Sequence, residues 1–324
     1  MLISRFVAGV SGGFAMVLGA GELYGQAFPN RPVRIYTTAP GGGSDFSARV
    51  ISQTLPAILG QPVVIENRGG SVLIAAQAVA KAPADGHSLL LYGSTLWLLP
   101  FLQDNVPYDP LRDFSPITLT NRAPNVLVVH SSLPVKSVKE LIALARARPG
   151  EINYSSGPSG SSNHLSAELL KAMAKVNIVR VPYKGTAPAL TALLGGEVQL
   201  MFGTASTVAP HLQSGRLRAL AVTSATSSIL APGLPPMSAA LPGYESVAQS
   251  GIFAPAGTPA AIISRLNHDI VQILGRAEIK EKFLNSGTEA IGGTPEELTA
   301  AMRAEMARMG RVIKDAGIRD GNAP

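Results

Sequence analysis

The 324 residues carry 27 Lys and Arg against 21 Asp and Glu, a net charge of +6, with 46% apolar, 15% charged and 5% aromatic residues and no cysteine. A chain of this length supports two lobes with substantial cores, and so apolar a composition excludes an intrinsically disordered chain. The missing cysteines exclude disulfides, thiolate metal sites, thiol catalysis and a lipidated cysteine anchor, and without Lys/Arg runs or interleaved aromatics the basic excess suits an acidic solute or solubility better than nucleic acid.

Residues 1–27 read as an export label. Arg5 supplies the positive start, residues 6–20 are apolar and small, and Gly25-Gln26-Ala27 offers the small residues that a signal peptidase needs, so cleavage is expected after Ala27. A membrane anchor is the alternative, but Ser11-Gly12-Gly13 interrupts the apolar run, which falls short of the roughly 20 residues of a span. Cleavage would remove Arg5 and Glu22, one charge of each sign, and leave the mature chain at +6.

The first lobe begins with a β-branched strand over 33–38, which runs into Pro40-Gly41-Gly42-Gly43-Ser44-Asp45. Three glycines clear side chains from the turn, Ser44 or Asp45 can cap a helix, and the free N–H groups of a first helical turn attract anions. One such corner can equally be an ordinary strand-to-helix turn; repetition decides. A helix over 46–59 places Val50, Ile51, Leu55 and Ile58 on one face, followed by strand 63–66, helix 72–81 and strand 87–92, which ends in a second corner, Gly93-Ser94-Thr95. This βαβαβ order implies a parallel sheet that binds ligands beyond the carboxyl ends of its strands. A loop over 100–113 and two strands, 115–119 and 126–129, lead out of the lobe.

The same grammar then restarts. Helix 138–148 and strand 152–155 lead to the corner 155–162, helix 165–175 and strand 178–181. Pro182-Tyr183-Lys184-Gly185-Thr186 opens helix 187–194, strand 198–202 ends at Gly203-Thr204-Ala205-Ser206, and strand 217–223 follows. An irregular stretch over 224–243 precedes strand 246–253, and helices to 274, over 277–285 and over 295–316 return to cover the first lobe. Crossings near 120–126 and 246–253 give two ties between the lobes and allow hinge closure. The boundaries expected are 28–122 with 252–324 for lobe one and 123–251, including the hinge, for lobe two.

Nucleotide, metalloprotease and hydrolase signatures are absent, and His87, His130, His164, His211 and His268 stand singly, so neither a metal nor a cofactor is expected. Ser161, Ser162 and His164 could form a nucleophile and base, but neighbours at a helix entry point in different directions, which favours capping and cleft lining. Lys184 is either a ligand counter-ion or an exposed turn lysine, and Tyr183 either stacks on a ligand or packs on its lobe. The strand-end corners therefore carry the site: Gly42, Gly43, Ser44 and Asp45; Ser94 and Thr95; Ser159, Gly160, Ser161 and His164; Gly185 and Thr186; Gly203 and Thr204. Facing one cleft, their N–H groups and hydroxyls would hold an anion without transforming it.

Several stretches in one order carry a resemblance. They are the first corner, Gly60-Gln61-Pro62-Val63-Val64-Ile65-Glu66-Asn67-Arg68, Asp85-Gly86, Val181-Pro182-Tyr183-Lys184-Gly185, Leu194-Gly195-Gly196, Leu217-Arg218-Ala219-Leu220-Ala221-Val222-Thr223, Leu241-Pro242-Gly243-Tyr244-Glu245 and Ala254-Pro255-Ala256-Gly257-Thr258-Pro259. Over about residues 28–318 the chain resembles the Bug, or TctC-like, family of periplasmic solute-binding proteins of tripartite tricarboxylate transporters. The resemblance implies a type II periplasmic-binding-protein fold, a small carboxylate as cargo, membrane permease subunits as partners, a monomer, and a ligand carboxylate held by backbone amides and water at the corners, with little use of arginine. An exported hydrolase and a ligand sensor for a membrane kinase are the competing readings. Three departures bear on the cargo: Leu73 where the family commonly has a polar residue, Gly203 where Phe-Asp is common, and Gln249 where an aromatic is common. Leu73 and Gly203 suggest a less polar solute.

Overall fold

In β1 (Val33–Thr37) every second side chain is fully buried, the pattern of a strand with one covered face, and β1 lies between β2 (Val63–Asn67) and β3 (Ser88–Gly93), parallel to both. The structure is a computed structural model that describes residues 28–41, 43–68 and 71–319; the expected export label and Gly42 lie outside the described residues. The connections between these strands are α1 (Gly43–Ser52), α2 (Leu55–Leu59) and α3 (Val72–Ala80), as parallel pairing requires. The single helix expected over 46–59 is broken at Gln53-Thr54, because Pro56 has no N–H with which to continue the ladder from α1 into α2.

After β3 comes α4 (Thr95–Leu102), a helix apolar after its first residue, where the sequence suggested a corner and then a loop; Leu96, Trp97, Leu98, Leu99 and Leu102 are all buried, so no polar face betrays its period. The chain then enters β4 (Phe114–His130), a single strand of 17 residues instead of the two expected. Its first part pairs antiparallel with β9 (Val247–Pro255) as far as Pro124, with register shifts after Pro116 and Leu119 that accommodate the strand's bend. Its last residues, 125–130, lie between β7 (Leu200–Thr204) and β8 (Leu217–Val222) in the other lobe. One strand thus serves both sheets, and β9, paired on its other side with β3, is the second crossing.

The second lobe is completed by α5 (Val138–Ala147), β5 (Asn153–Ser156), α6 (Ser162–Ala174), β6 (Val179–Pro182), α7 (Thr186–Leu194) and α8 (Ala205–Gln213), with β7, β5 and β6 in spatial order. Helix α8 was not expected from the sequence, where Pro210 within a short stretch conceals it. The α/β architecture of two lobes joined by two crossing strands is the one expected.

The C-terminal helices act differently from one another. Leu266, Ile270 and Ile273 of α9 (Ala260–Gly275) and Phe283 of α10 (Ala277–Asn285) pack with Ile35, Leu89 and Ile252 and close one face of the first lobe. In contrast α11 (Pro295–Asp315), started by a capping box between Thr294 and Glu297, puts Leu298, Met302, Met309 and Ile313 into a cluster shared by Trp97 and Leu102 of the first lobe and Leu165 and Leu169 of the second. It lies across both lobes, and its inner face reaches the gap between them.

Candidate functional site

Between the lobes is a cavity of about 300 Å3, at the lower end of the range for small-molecule sites. Gly43 and Ser44 at the start of α1, Ser94 and Thr95 at the start of α4, and Gly160, Ser161 and Ser162 at the start of α6 all line it. The first-turn N–H groups of a helix have no carbonyl partner within it, and each helix adds a partial positive charge at this end. At α4 the N–H groups of Trp97 and Leu98 are bonded to Ser94 O, and at α6 those of His164 and Leu165 to Asn163 Oδ1 and Ser161 O, so the donors left over are the earlier ones. The lobes touch here: a Cβ on Gly160, whose φ is +76°, would stand 3.0 Å from Leu102 Cδ1 of α4.

The crossing strands form the floor. Asn121 of β4 accepts from Ser47 Oγ at 3.0 Å and Thr120 Oγ1 at 3.1 Å through its oxygen, which leaves its amide nitrogen for the cavity it lines. Ser246, Gln249 and Ser250 contribute from β9 and its approach, and Thr38 and Thr288 from neighbouring loops. Leu98, Leu102, Leu165, Val247 and Met309 make an apolar wall. Among the described residues, the lining contains no Lys, Arg or His, and its only ionisable side chain is Glu305 of α11. Its Oε2 accepts from Trp97 Nε1 at 2.9 Å, Ser94 Oγ at 3.1 Å and Gln249 Nε2 at 3.3 Å. Burial raises its carboxyl to about 7, against the opposing pull of the Trp97 and Ser94 bonds and of Arg308.

The remaining described residues expected at the site lie off the cavity lining. Asp45 is turned into its own loop, accepting from Gly41 N at 2.9 Å, Arg49 Nε at 2.9 Å and Asn67 Nδ2 at 2.7 Å. Burial alone would raise this carboxyl, but those bonds outweigh it and hold it below its ordinary value. Ser159 Oγ accepts from Arg180 at 3.2 Å, and His164 Nδ1 accepts from Gly160 N at 3.2 Å. Burial, helped by Arg180, lowers His164 to about 4, so it is neutral and serves as an acceptor that fixes the corner. Gly185 and Thr186 begin α7 without reaching the cavity; Thr204 caps α8 through Thr207, and a Cβ at Gly203 would lie 2.8 Å from Val208 Cγ1, so packing demands the glycine. Leu73 packs on the core, and neither it nor Gly203 lines the cavity. Tyr183 packs partly on its own lobe with its hydroxyl 3.5 Å from Glu197.

A nucleophile–base pair is not assembled. Ser161 Oγ is 2.6 Å from both Pro158 O and Asn163 Oδ1, while the two ring nitrogens of His164 face Gly160 N and Glu168. Among the described residues no group of His, Asp or Glu could hold a metal ion, and no helix is long and apolar enough to cross a membrane.

Residues 47–318 match the family model of the tripartite tricarboxylate transporter family receptors, TctC. The chain belongs to that family. Among curated members, it is 36% identical over 325 residues to the protein BugT of Bordetella pertussis, covering 98% of this chain and 99% of BugT. Among solved structures, it is similar to R. palustris Rpa4515 with adipate, at 40% identity and a TM-score of 0.71, covering 90% of this chain and 99% of that one. It is also similar to MatC from Rhodopseudomonas palustris with bound malate, at 30% identity and a TM-score of 0.66, covering 88% and 100% of the two chains. The TctC family is one of periplasmic solute-binding receptors, and the type II two-lobe architecture matches that membership.

Gln249, singled out in the sequence as a departure that bears on the cargo, does line the cavity, whereas Leu73 and Gly203 do not. Cavity residues that sequence reasoning overlooked come from the crossings and from α11: Asn121 on β4 and Ser246 just before β9 lie on crossings whose role was visible, so position at the hinge was an available signal. Glu305 gave none: it is one charge among many on a polar helix until the chain folds α11 across the gap.

Proposed function

We propose that this receptor captures a small carboxylate in the interlobe cavity and delivers it to the membrane subunits of a tripartite transporter. The observation that carries the reading is the meeting of three helix starts, those of α1, α4 and α6, from both lobes at one cavity with no cationic side chain in its lining. Aligned N–H groups and hydroxyls select an anion while a lysine or arginine would add a charge that must be desolvated. Gly43, Ser44, Thr95 and Ser162 contact the carboxylate, directly or through water, while Ser94, Gly160 and Ser161, whose N–H groups are bonded to Gln249 O, His164 Nδ1 and Pro158 O, shape the corners. Asp45, Ser159 and His164 hold those loops in shape. The apolar wall of Leu98, Leu102, Leu165, Val247 and Met309 suits an aliphatic chain, and adipate, bound by the 40% identical relative, has that form.

Capture proceeds by closure of lobe one, residues 28–122 with 252–324, on lobe two, residues 123–251, about the β4 and β9 crossings. The chain acts as a monomer in the periplasm after cleavage behind Ala27, and it has no catalytic role; the separate engagement of Ser161 and His164 supports that part of the reading.

Thermal unfolding across adipate, malate, aliphatic monocarboxylates and tricarboxylates tests the proposal. A ligand of the folded state raises stability by RT ln(1 + [L]/Kd), about 2.7 kcal/mol at a hundredfold excess over Kd. We expect aliphatic carboxylates to shift the transition and their methyl esters to leave it unchanged. A protein indifferent to every carboxylate, or one that hydrolyses the esters, overturns the reading.

A further inference from the structure

An acidic side chain in the wall of a cavity built for an anion needs an explanation, and Glu305 is that side chain. We infer that Glu305 binds the ligand as a neutral acid, donating its Oε1–H to the captured carboxylate, so that capture takes up one proton and release returns it to solvent. The inference rests on the carboxylate reading of the cavity and adds to it a specificity-determining group on α11.

The geometry separates the two oxygens. All of the protein's donors to Glu305, from Ser94, Trp97 and Gln249, converge on Oε2. Oε1 has no hydrogen-bond partner among the described residues and is not among the buried polar atoms that lack one, while the residue lines the cavity. The carboxyl is therefore anchored by one oxygen and offers the other to the ligand space. Ionised, that oxygen would face a second anion inside a cavity of about 300 Å3 with no lining cation to separate them. Protonated, it becomes a donor and joins the helix N–H groups. Like charges in one site raise the pKa of one of them, which is the condition for proton uptake on binding.

The surrounding charges leave that balance in place. Helix α4 contains no ionisable residue, and β9 contains none. On β4, Arg122 is paired with Glu289 at 2.9 Å. On α6, His164, Glu168 and Lys171 are engaged with one another. Arg308, one turn along α11, is 3.2 Å from Glu245, whose own charge opposes the help that Arg308 gives to ionised Glu305. Burial raises the carboxyl, so protonation on ligand entry needs only a modest further push.

Calorimetric titration of the whole mature protein with adipate decides the matter, because adipate stays fully ionised above about pH 6.5 and contributes no proton of its own. At one pH near 7.5, buffers of different ionisation enthalpy should report net uptake approaching one proton per ligand. Between about pH 7.5 and 9 the affinity should fall about tenfold per pH unit. Glu305→Gln preserves the acceptor for Trp97, Ser94 and Gln249 and offers an amide donor to the cavity, so its affinity should be flat over that range and its uptake zero. Wild-type binding without proton uptake, or an equal slope in the variant, overturns the role of Glu305 while leaving the receptor reading intact. If Glu305→Gln does not fold, the buffer comparison on the wild type still decides. Failure of adipate and of the other carboxylates to bind at any pH would remove the receptor reading and this inference with it.

Discussion

Between the lobes, the first-turn N–H groups of Thr95 and Ser162 have no protein partner among the described residues, and no lysine, arginine or histidine lines the space. Beside α6 lies a recess of about 400 Å3 lined by Arg180, Lys171 and Arg319, which by formal charge is the stronger anion site. Yet its cations are already engaged. Arg180 donates to Ser156 Oγ at 2.7 Å, Gly157 O at 2.9 Å and Ser159 Oγ at 3.2 Å; Lys171 is 2.8 Å from Glu168, and Arg319 is 3.2 Å from Asp104. On the proposed reading, the contrast teaches that an anion is best served by donors that the fold leaves unpaired, and that a charge already bonded within the protein has little to offer a guest.

The sharpest way to break this contrast is to place a negative charge among the unpaired donors. Ser162→Asp sits at the first position of α6, where an acidic residue favours the helix itself. Folding stability should hold or rise slightly, while carboxylate affinity measured by titration should drop by about a hundredfold or more, since unit charges near 4 Å repel by about 4 kcal/mol at an effective dielectric of 20. Unchanged affinity would mean that the ligand does not approach α6.

A next test sharpens the comparison through Glu305. The folded protein keeps this proton up to about pH 7, whereas the unfolded chain releases it near the ordinary 4.5, so the folded state binds more protons in between and loses stability as pH rises through that window. Glu305→Gln removes the loss. Denaturant unfolding should show variant and wild type close at about pH 4 and the variant ahead by on the order of 2–3 kcal/mol at about pH 8. A variant less stable at both values would place Glu305 as a purely structural anchor.

The smallest effect on binding is expected from the recess. Arg180→Met removes a full positive charge and the bonds to the loop before α6, which should cost about 1–2 kcal/mol of stability. Its effect on affinity, measured by the same titration, should stay under about tenfold, below that of Ser162→Asp. A larger loss would show that the recess, not the interlobe cavity, attracts the ligand.

Local rules were enough for much of this. The βαβαβ order, the strand-end corners and the two crossings follow from alternation, helical period and glycine or serine punctuation, all of which act within a few residues. The same rules fail where an element has no polar face, as in α4, or where proline breaks a regular pattern, as at Pro56 and within β4. They also cannot tell a corner that faces the gap from one that does not. Gly160 and Gly203 look alike in sequence, but the first meets Leu102 across the lobes and the second is pressed against Val208 of its own.

Short-range chemistry, written in order along the chain, thus marked most of the segments that become strands and helices and the glycine- and serine-rich bends between them. Which bends share one cavity, and that a carboxyl from α11 stands among them, was decided by packing between residues as far apart as Ser94 and Glu305. Such a contact exists only once β4 and β9 have set the two lobes side by side, and α11 has buried Leu298, Met302 and Met309 against both.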